Sequence, residues 1–155
     1  MTTAQVLVHG RACRVSVDDL VYDIPIGAAS LAASIVTDPP APEELVNAIG
    51  LVLDHLEDAG REVPPFQHAE RVEISGPGVA TLADVEVGGS AALPFELSRA
   101  AAEDVFRTLA TERAADRRRN PGLPAHEVHD VLGVACAVVA VMRFLAAESV
   151  WVTVP

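Results

Sequence analysis

The sequence predicts one α/β domain, residues 1–155, built on a mixed sheet whose first three strands are antiparallel. Two patterns carry this prediction. Residues 5–27 contain three β-type runs in succession, and the rest of the chain alternates helical with β-type periodicity. Half of the 155 residues are apolar, which is enough to build one core at this length.

The first three strands follow from alternation and turn residues. Residues 5–8 and 13–17 place valines at every second position, the period of a strand with one buried face. The pair Asp18 and Asp19 suits a hairpin turn, and residues 21–26 continue as a third strand. Pro25 cannot donate to a ladder, so this strand should end at a sheet edge.

Helical and β-type periodicity continue in alternation after residue 27. The predicted helices are 27–36, 42–58, 79–85, 99–114 and 125–147, and the predicted later strands are 71–75 and 149–154. Pro42 suits a first helical turn, and Gly60 suits a stop after the second helix. This order gives about five strands with helices on both faces, the arrangement of a ribonuclease-H-like or actin-like lobe.

Composition limits the functions that the chain can have. Eleven cations, all of them Arg, face 22 acids, for a net charge of −11. This charge disfavours nucleic acid, polyphosphate and anionic membranes unless a local basic patch overrides it. Without a secretory pattern or a long apolar segment, we expect a cytoplasmic protein, and the arginine and Ala/Val bias indicates a high-GC bacterial gene. Cys13 and Cys136 fit no metal spacing and are expected to be buried thiols.

Three stretches carry a resemblance to a known family. They are Ile-Pro-Ile-Gly-Ala at 24–28, Asp-Pro-Pro at 38–40 with the following helix, and the segment from 122 to 145 with the strand after it. In order and spacing the chain resembles the second lobe of the exopolyphosphatase/guanosine pentaphosphate phosphohydrolase (Ppx/GppA) family, over nearly its whole length. The resemblance implies an actin-like lobe and, in the family's enzymes, a phosphate held between two lobes by glycine-rich loops.

The departures from the family concern its chemistry. The family's Asp-Ile-Gly-Gly-Gly-Ser type loop aligns with Val-His-Gly-Arg-Ala-Cys at 8–13, where Gly10 alone is kept and Arg11 intrudes. The family's first-lobe loop and catalytic carboxylate have no counterpart, and Glu127 stands where the family's closing helix begins with Arg. The family's sequence also continues beyond the position of Pro155. These departures predict a degenerate lobe without catalytic residues.

Two turns are candidates for a weak phosphate site. The first is His9, Gly10 and Arg11, where a guanidinium could hold a phosphate or carboxylate and an imidazole could transfer protons. The second holds Gly76 and Gly78, where a strand turns into a helix and backbone N–H groups could bind an anion. The alternatives are an exposed turn arginine and an ordinary tight turn.

Two other clusters have plainer interpretations. His126, Glu127 and Asp130 could form a metal site, but acids at a helix N-terminus are favourable in themselves, so no metal is predicted. The basic segment with Arg113, Arg117, Arg118 and Arg119 could face a polyanion or an acidic partner, but the acidic remainder of the chain favours pairing with its own acids.

The sequence therefore favours a non-catalytic binding or regulatory module that self-associates, with no cofactor. Its partner would be a second copy or a separately encoded first-lobe protein, docked in part on the apolar arc of helix 125–147. Two alternatives stay open. One is a phosphohydrolase for polyphosphate or guanosine polyphosphate, completed by a partner and dependent on Mg²⁺. The other is a phosphate or nucleotide sensor.

Overall fold

A computed structural model describes all residues, 1–155, and has a six-stranded mixed sheet at its centre. The strands are β1 (Thr3–Val8), β2 (Cys13–Val17), β3 (Leu20–Ile24), β4 (Arg71–Ser75), β5 (Phe95–Ser98) and β6 (Ser149–Val152). They lie in the order β3-β2-β1-β4-β6-β5. β1, β4 and β6 run parallel to one another, while β2, β3 and β5 are antiparallel to their neighbours.

Six α-helices complete the fold: α1 (Ala28–Ala33), α2 (Pro42–Glu62), α3 (Val79–Val87), α4 (Arg99–Thr111), α5 (Ala114–Arg117) and α6 (Asp130–Leu145). Two 3₁₀ turns, Pro64–His68 and Ala125–Glu127, lead into β4 and α6. The predicted α/β fold with three antiparallel leading strands is confirmed. None of the helices has both the length and the apolar character needed to cross a membrane.

The sheet has one strand more than the sequence predicted. β5 is a four-residue edge strand in which only Leu97 is buried, so it offers no alternating pattern to recognise. Its last residue, Ser98, is also the N-cap of α4, with Oγ accepting from the N–H of Ala101 over 3.1 Å. A short strand that runs directly into a helix cap therefore escaped prediction.

The helices pack on one face of the sheet, and the prediction of helices on both faces was wrong. α6 contacts α1, α2, α3 and α4, so these helices form one layer. On the opposite face, alternate strand residues line an open depression: Gln5, Leu7, Arg14, Ser16, Glu73 and Ser75. The reason is topological. The crossovers from β3 to β4 and from β4 to β6 step in the same direction across the sheet, and right-handed connections then place both sets of helices on one side.

Helix α6 is the centre of the core. Its residues from Val131 to Met142 are all buried, as its broad apolar arc predicted. At Gly133 the backbone of α1 comes so close that a side-chain methyl group would overlap the carbonyl of Ala28. The apolar arc is covered by the chain itself, so the expectation that it forms a partner surface was wrong.

Helix α2 is longer than predicted and is firmly fixed at its start. Glu44 accepts from the N–H groups of Ala41, Val36 and Thr37, at 3.0, 2.7 and 3.3 Å. These hydrogen bonds lower the pKa of Glu44 to about 2. Gly60 does not end the helix, which continues to Glu62. Gly60 is buried, and a Cβ at this position would overlap the side chain of Gln67.

The charged break after α4 contains a buried arginine. Arg117 is 2% exposed and donates to the carbonyls of Leu109, Val128 and Glu112, each at 2.9 Å. Burial lowers its pKa. Arg113, Arg118 and Arg119 are exposed, but none of them forms an ion pair, so the expected pairing with the chain's own acids was wrong.

Candidate functional site

A cleft of about 370 Å³ opens where the loops after β1 and β4 meet the start of α6. β1 and β4 are parallel neighbours, so the loops that follow them, residues 9–12 and 76–78, emerge at the same edge of the sheet. The lining residues are Gly10, Ala28, Ala29, Pro77, Gly78, His126, Glu127, Asp130, Val131 and Val134. The cleft thus brings together one part of each turn singled out in the sequence and the acidic start of α6.

The first turn is folded back on helix α1. His9 donates to the carbonyl of Ala12 over 2.9 Å, closing the turn. The carbonyl of His9 accepts from the N–H of Ala28 at 2.9 Å, and that of Gly10 accepts from Ala29 at 2.8 Å and Ser30 at 3.2 Å. The N–H groups that open α1 are therefore satisfied within the protein, although such groups elsewhere often bind anions.

Gly27 makes this contact possible, a role that sequence reasoning missed. It is buried at the start of α1, and a methyl group on its Cα would overlap the carbonyl of His9. The same methyl group would lie 2.7 Å from the amide nitrogen of Arg11 and 2.6 Å from that of Ala12. Gly27 is thus the residue that lets loop 9–12 seal the helix.

The other two residues of the first turn lie outside the cleft. Arg11 is exposed and does not line it. His9 lines a separate shallow depression, together with Cys13, Arg14 and Asp23. Burial raises the pKa of the Cys13 thiol to about 11, against a hydrogen bond from His9 that lowers it, so the thiol stays protonated.

Gly76 and Gly78 have different surroundings although they are two residues apart. Both have positive φ angles, +128° and +91°. Gly76 is buried against the carbonyl of Val8 in β1, where no side chain would fit. Gly78 lines the cleft, where a Cβ would stand 3.3 Å from Oε1 of Glu127. The turn geometry alone accounts for both glycines, and anion binding by this pair stays a prediction.

The acidic side of the cleft has a hydrogen bond that sequence reasoning missed. Oε1 of Glu127 accepts from the hydroxyl of Thr81 in α3 at 2.8 Å, and Oε2 lies 3.8 Å from Nε2 of His126. Thr81 is buried and lies 46 positions earlier in the chain, so no local pattern signals the contact. Asp130 is exposed at the rim.

The charge of the cleft disfavours phosphate. Two carboxylates and a histidine line it, and no arginine does. No group of three or more His, Cys, Asp or Glu side chains in the protein is arranged to hold a metal ion. A phosphate entering the cleft would meet negative charge without a neighbouring guanidinium among these residues to offset it.

Comparison with known proteins identifies the fold. The chain superposes on an exopolyphosphatase-like protein with a TM-score of 0.88 and 18% identity, covering 99% of the chain and 54% of that structure. It superposes on the Aquifex aeolicus PPX-GPPA enzyme with a TM-score of 0.85 and 16% identity, covering 99% and 53%. For an exopolyphosphatase from Cytophaga hutchinsonii the TM-score is 0.75 and the identity 14%, with the same coverage.

The chain therefore has the actin-like fold of one lobe of Ppx/GppA proteins, and the predicted structural resemblance is confirmed. It spans about half the length of these structures. No family model matches the sequence, and no curated protein matches it. At this level of identity the likeness establishes the fold alone.

Proposed function

We propose that this chain is a binding lobe without phosphohydrolase activity, which works by associating with a second copy of itself. One observation supports the absence of phosphohydrolase activity: the carbonyls of His9 and Gly10 accept hydrogen bonds from the first N–H groups of α1. Phosphoryl transfer depends on donors and cations aimed at the transferring group. Here the N–H groups that open α1 are satisfied internally, and the cleft presents Glu127 and Asp130 instead.

Self-association would use the free edge of strand β3. Leu20 is 44% and Val21 50% exposed on this edge, and the strand carries no lysine or internal proline to block pairing. Unprotected edge strands are templates for pairing with another chain. The other edge, β5, is shorter, and its acid Glu96 forms no ion pair, so β3 is the better candidate.

The charges on β3 suit two copies related by a two-fold axis. Antiparallel pairing about Tyr22 places Leu20 opposite Ile24 and Val21 opposite Asp23 of the second copy. No acid then faces another acid. Asp23 is also neutralised within its own copy by Arg14, with Nε to Oδ1 at 2.7 Å. Two chains of net charge −11 can thus meet without direct repulsion at the contact, and their sheets would join.

Phosphate release tests the non-catalytic half of the proposal. Purified protein is incubated with polyphosphate or guanosine pentaphosphate, with and without Mg²⁺. We expect no release above the buffer blank. Mg²⁺-dependent release that falls in Glu127→Gln would establish the phosphohydrolase alternative and overturn the proposal.

Light scattering tests the association. We expect a dimer at micromolar concentration. Val21→Glu should give monomer, because it places a carboxylate opposite Asp23 of the second copy. Val87→Glu is the matched control, since Val87 is equally exposed, at 49%, but lies in α3. A wild-type monomer would contradict self-association and would favour a separately encoded first-lobe protein as the partner.

One observation favours a second candidate, a phosphate or nucleotide sensor. The N–H groups of Gly10, Arg11 and Ala12 donate to no backbone carbonyl, so they could bind a weakly held anion. Thermal denaturation with tripolyphosphate, ATP or guanosine polyphosphates tests this. A ligand that raises the melting temperature by several degrees would favour sensing, provided that the increase is lost in Arg11→Ala and retained in the control Arg118→Ala.

A further inference from the structure

An apolar groove of about 450 Å³ lies between α2 and α4, on the side of the helical layer away from the sheet. Its lining residues are Pro42, Leu45, Val46, Ile49, Gly50, Leu53, Phe106 and Arg143. Val46 is 68% exposed within it. Gly50 has no heavy atom within 4 Å of the position of a Cβ, so the middle of the groove is open. Exposed apolar surface of this shape is typical of a docking site.

One rim of the groove is acidic. Glu43, Asp54 and Glu57 recur at helical spacing beside Val46 and Gly50, and all three acids are exposed. None of them forms an ion pair. The single cation of α2, Arg61, pairs with Asp58 instead. The opposite rim is closed by Arg143, which donates twice to Glu103 at 2.8 Å.

We propose that this groove binds a basic amphipathic helix of another protein. The apolar floor would receive its leucine-like face, and the unpaired acids would meet lysines or arginines along one flank. From Pro42 to Leu53 the groove extends for three turns of α2, about 17 Å at the rise of an α-helix. The docked segment should therefore contain about 11 residues, with apolar side chains at i, i+3, i+4 and i+7.

A second copy of this chain does not fit the groove. A two-fold antiparallel packing of α2 helices about Gly50 would set Glu43 of one copy opposite Glu57 of the other, twice. Each copy also carries a net charge of −11. Charge thus gives the two surfaces different partners. Strand β3 can pair with β3 of a second copy, whereas the groove requires a cationic partner. The inference does not depend on the dimer or on the absence of catalysis.

The probe is a fluorescent 14-residue peptide with leucines along one face and lysines elsewhere. Its control is a scrambled peptide of the same composition that has no apolar face. Anisotropy with the full chain should show binding on the order of 10 µM for the amphipathic peptide. The scrambled peptide should bind at least about tenfold more weakly. Equal binding of the two would mean that charge alone attracts them, which would overturn the proposal.

Substitutions locate the peptide. Val46→Glu should weaken binding at least about tenfold. Leu51→Glu is the matched control, because Leu51 is 45% exposed on the opposite side of α2, and binding should change less than about twofold. The triple change Glu43→Gln, Asp54→Asn and Glu57→Gln should lower affinity and flatten its salt dependence, whereas Glu62→Gln should not. If Val46→Glu left peptide binding unchanged, a basic partner helix in this groove would be contradicted. The same holds if light scattering showed a dimer that Val46→Glu converts to monomer.

Discussion

The amide nitrogen of Ala28 lies 2.9 Å from the carbonyl oxygen of His9, and this contact joins the first turn of the sheet to the first helix. The N–H of Ala28 faces a carbonyl where, at many helix starts, it would face an anion or water. The turn therefore acts as a backbone cap for α1. The proposed loss of phosphate chemistry follows from this contact rather than from the low glycine content alone.

Gly27→Ala tests how tightly the turn is sealed. The new methyl group would overlap the carbonyl of His9, so the turn and helix must separate. We expect a loss of about 2–3 kcal/mol in the free energy of unfolding, measured by urea denaturation. Gly89→Ala, at a position with open space around it, should change it by less than about 0.5 kcal/mol. An unchanged free energy of unfolding in Gly27→Ala would mean that the turn is loosely held.

Arg117→Met removes the buried guanidinium and leaves three carbonyls without their donor. These carbonyls belong to the end of α4 and to the segment before α6, so several elements lose one common anchor. We expect a loss of about 2–4 kcal/mol in the free energy of unfolding. The adjacent Arg118→Met removes an exposed guanidinium and should stay within about 0.5 kcal/mol. Similar values for the two variants would contradict the anchoring role.

Glu44→Gln should lower stability in a pH-dependent way. The folded protein holds the pKa of Glu44 at about 2, from an ordinary value of 4.5, because the ionised carboxylate accepts backbone N–H groups. A lowered pKa contributes stability that is present above pH 4.5 and is lost as the pH falls through 2. The melting temperatures of wild type and variant should therefore differ at pH 7 and converge near pH 2. Glu43→Gln should show no such convergence; a pH-independent difference for Glu44→Gln would exclude the mechanism.

Both cysteines should be unreactive in the folded protein. Burial raises the pKa of Cys13 to about 11 and that of Cys136 to about 12, so almost no thiolate exists at pH 8. Ellman's reagent should react with them about two orders of magnitude more slowly than with free cysteine. In urea both should react at the normal rate. Fast reaction of either cysteine without denaturant would show that its strand or helix opens locally.

Most of the fold could be predicted because its signals are local. Alternating valines set β1 and β2, and the apolar arc of α6 indicated burial. The missed features depend on distant parts of the chain. β5 is defined by pairing with β6, and the side of the sheet that the helices cover is fixed by strand order.

The candidate site was only partly accessible from the sequence. Gly10 and Gly78 were singled out as turn residues, and the structure places both in the cleft. Gly27 lies in the Ile-Pro-Ile-Gly-Ala stretch, but its role was missed because it depends on a close contact with the backbone of residues 9–12. The contact of Thr81 was missed because its partner Glu127 lies 46 residues later, in the 3₁₀ turn before α6. The prediction that the basic segment pairs with acids failed for Arg117, because its guanidinium is buried and donates to carbonyls of neighbouring elements.

The most direct test of the central claim is amide hydrogen exchange by NMR on ¹⁵N-labelled protein, with and without tripolyphosphate and Mg²⁺. If carbonyls of the turn seal α1, the amides of Ala28, Ala29 and Ser30 should exchange slowly and keep their chemical shifts throughout the titration. Fast exchange of these three amides, with saturable shifts when tripolyphosphate is added, would show an open phosphate site and contradict the account.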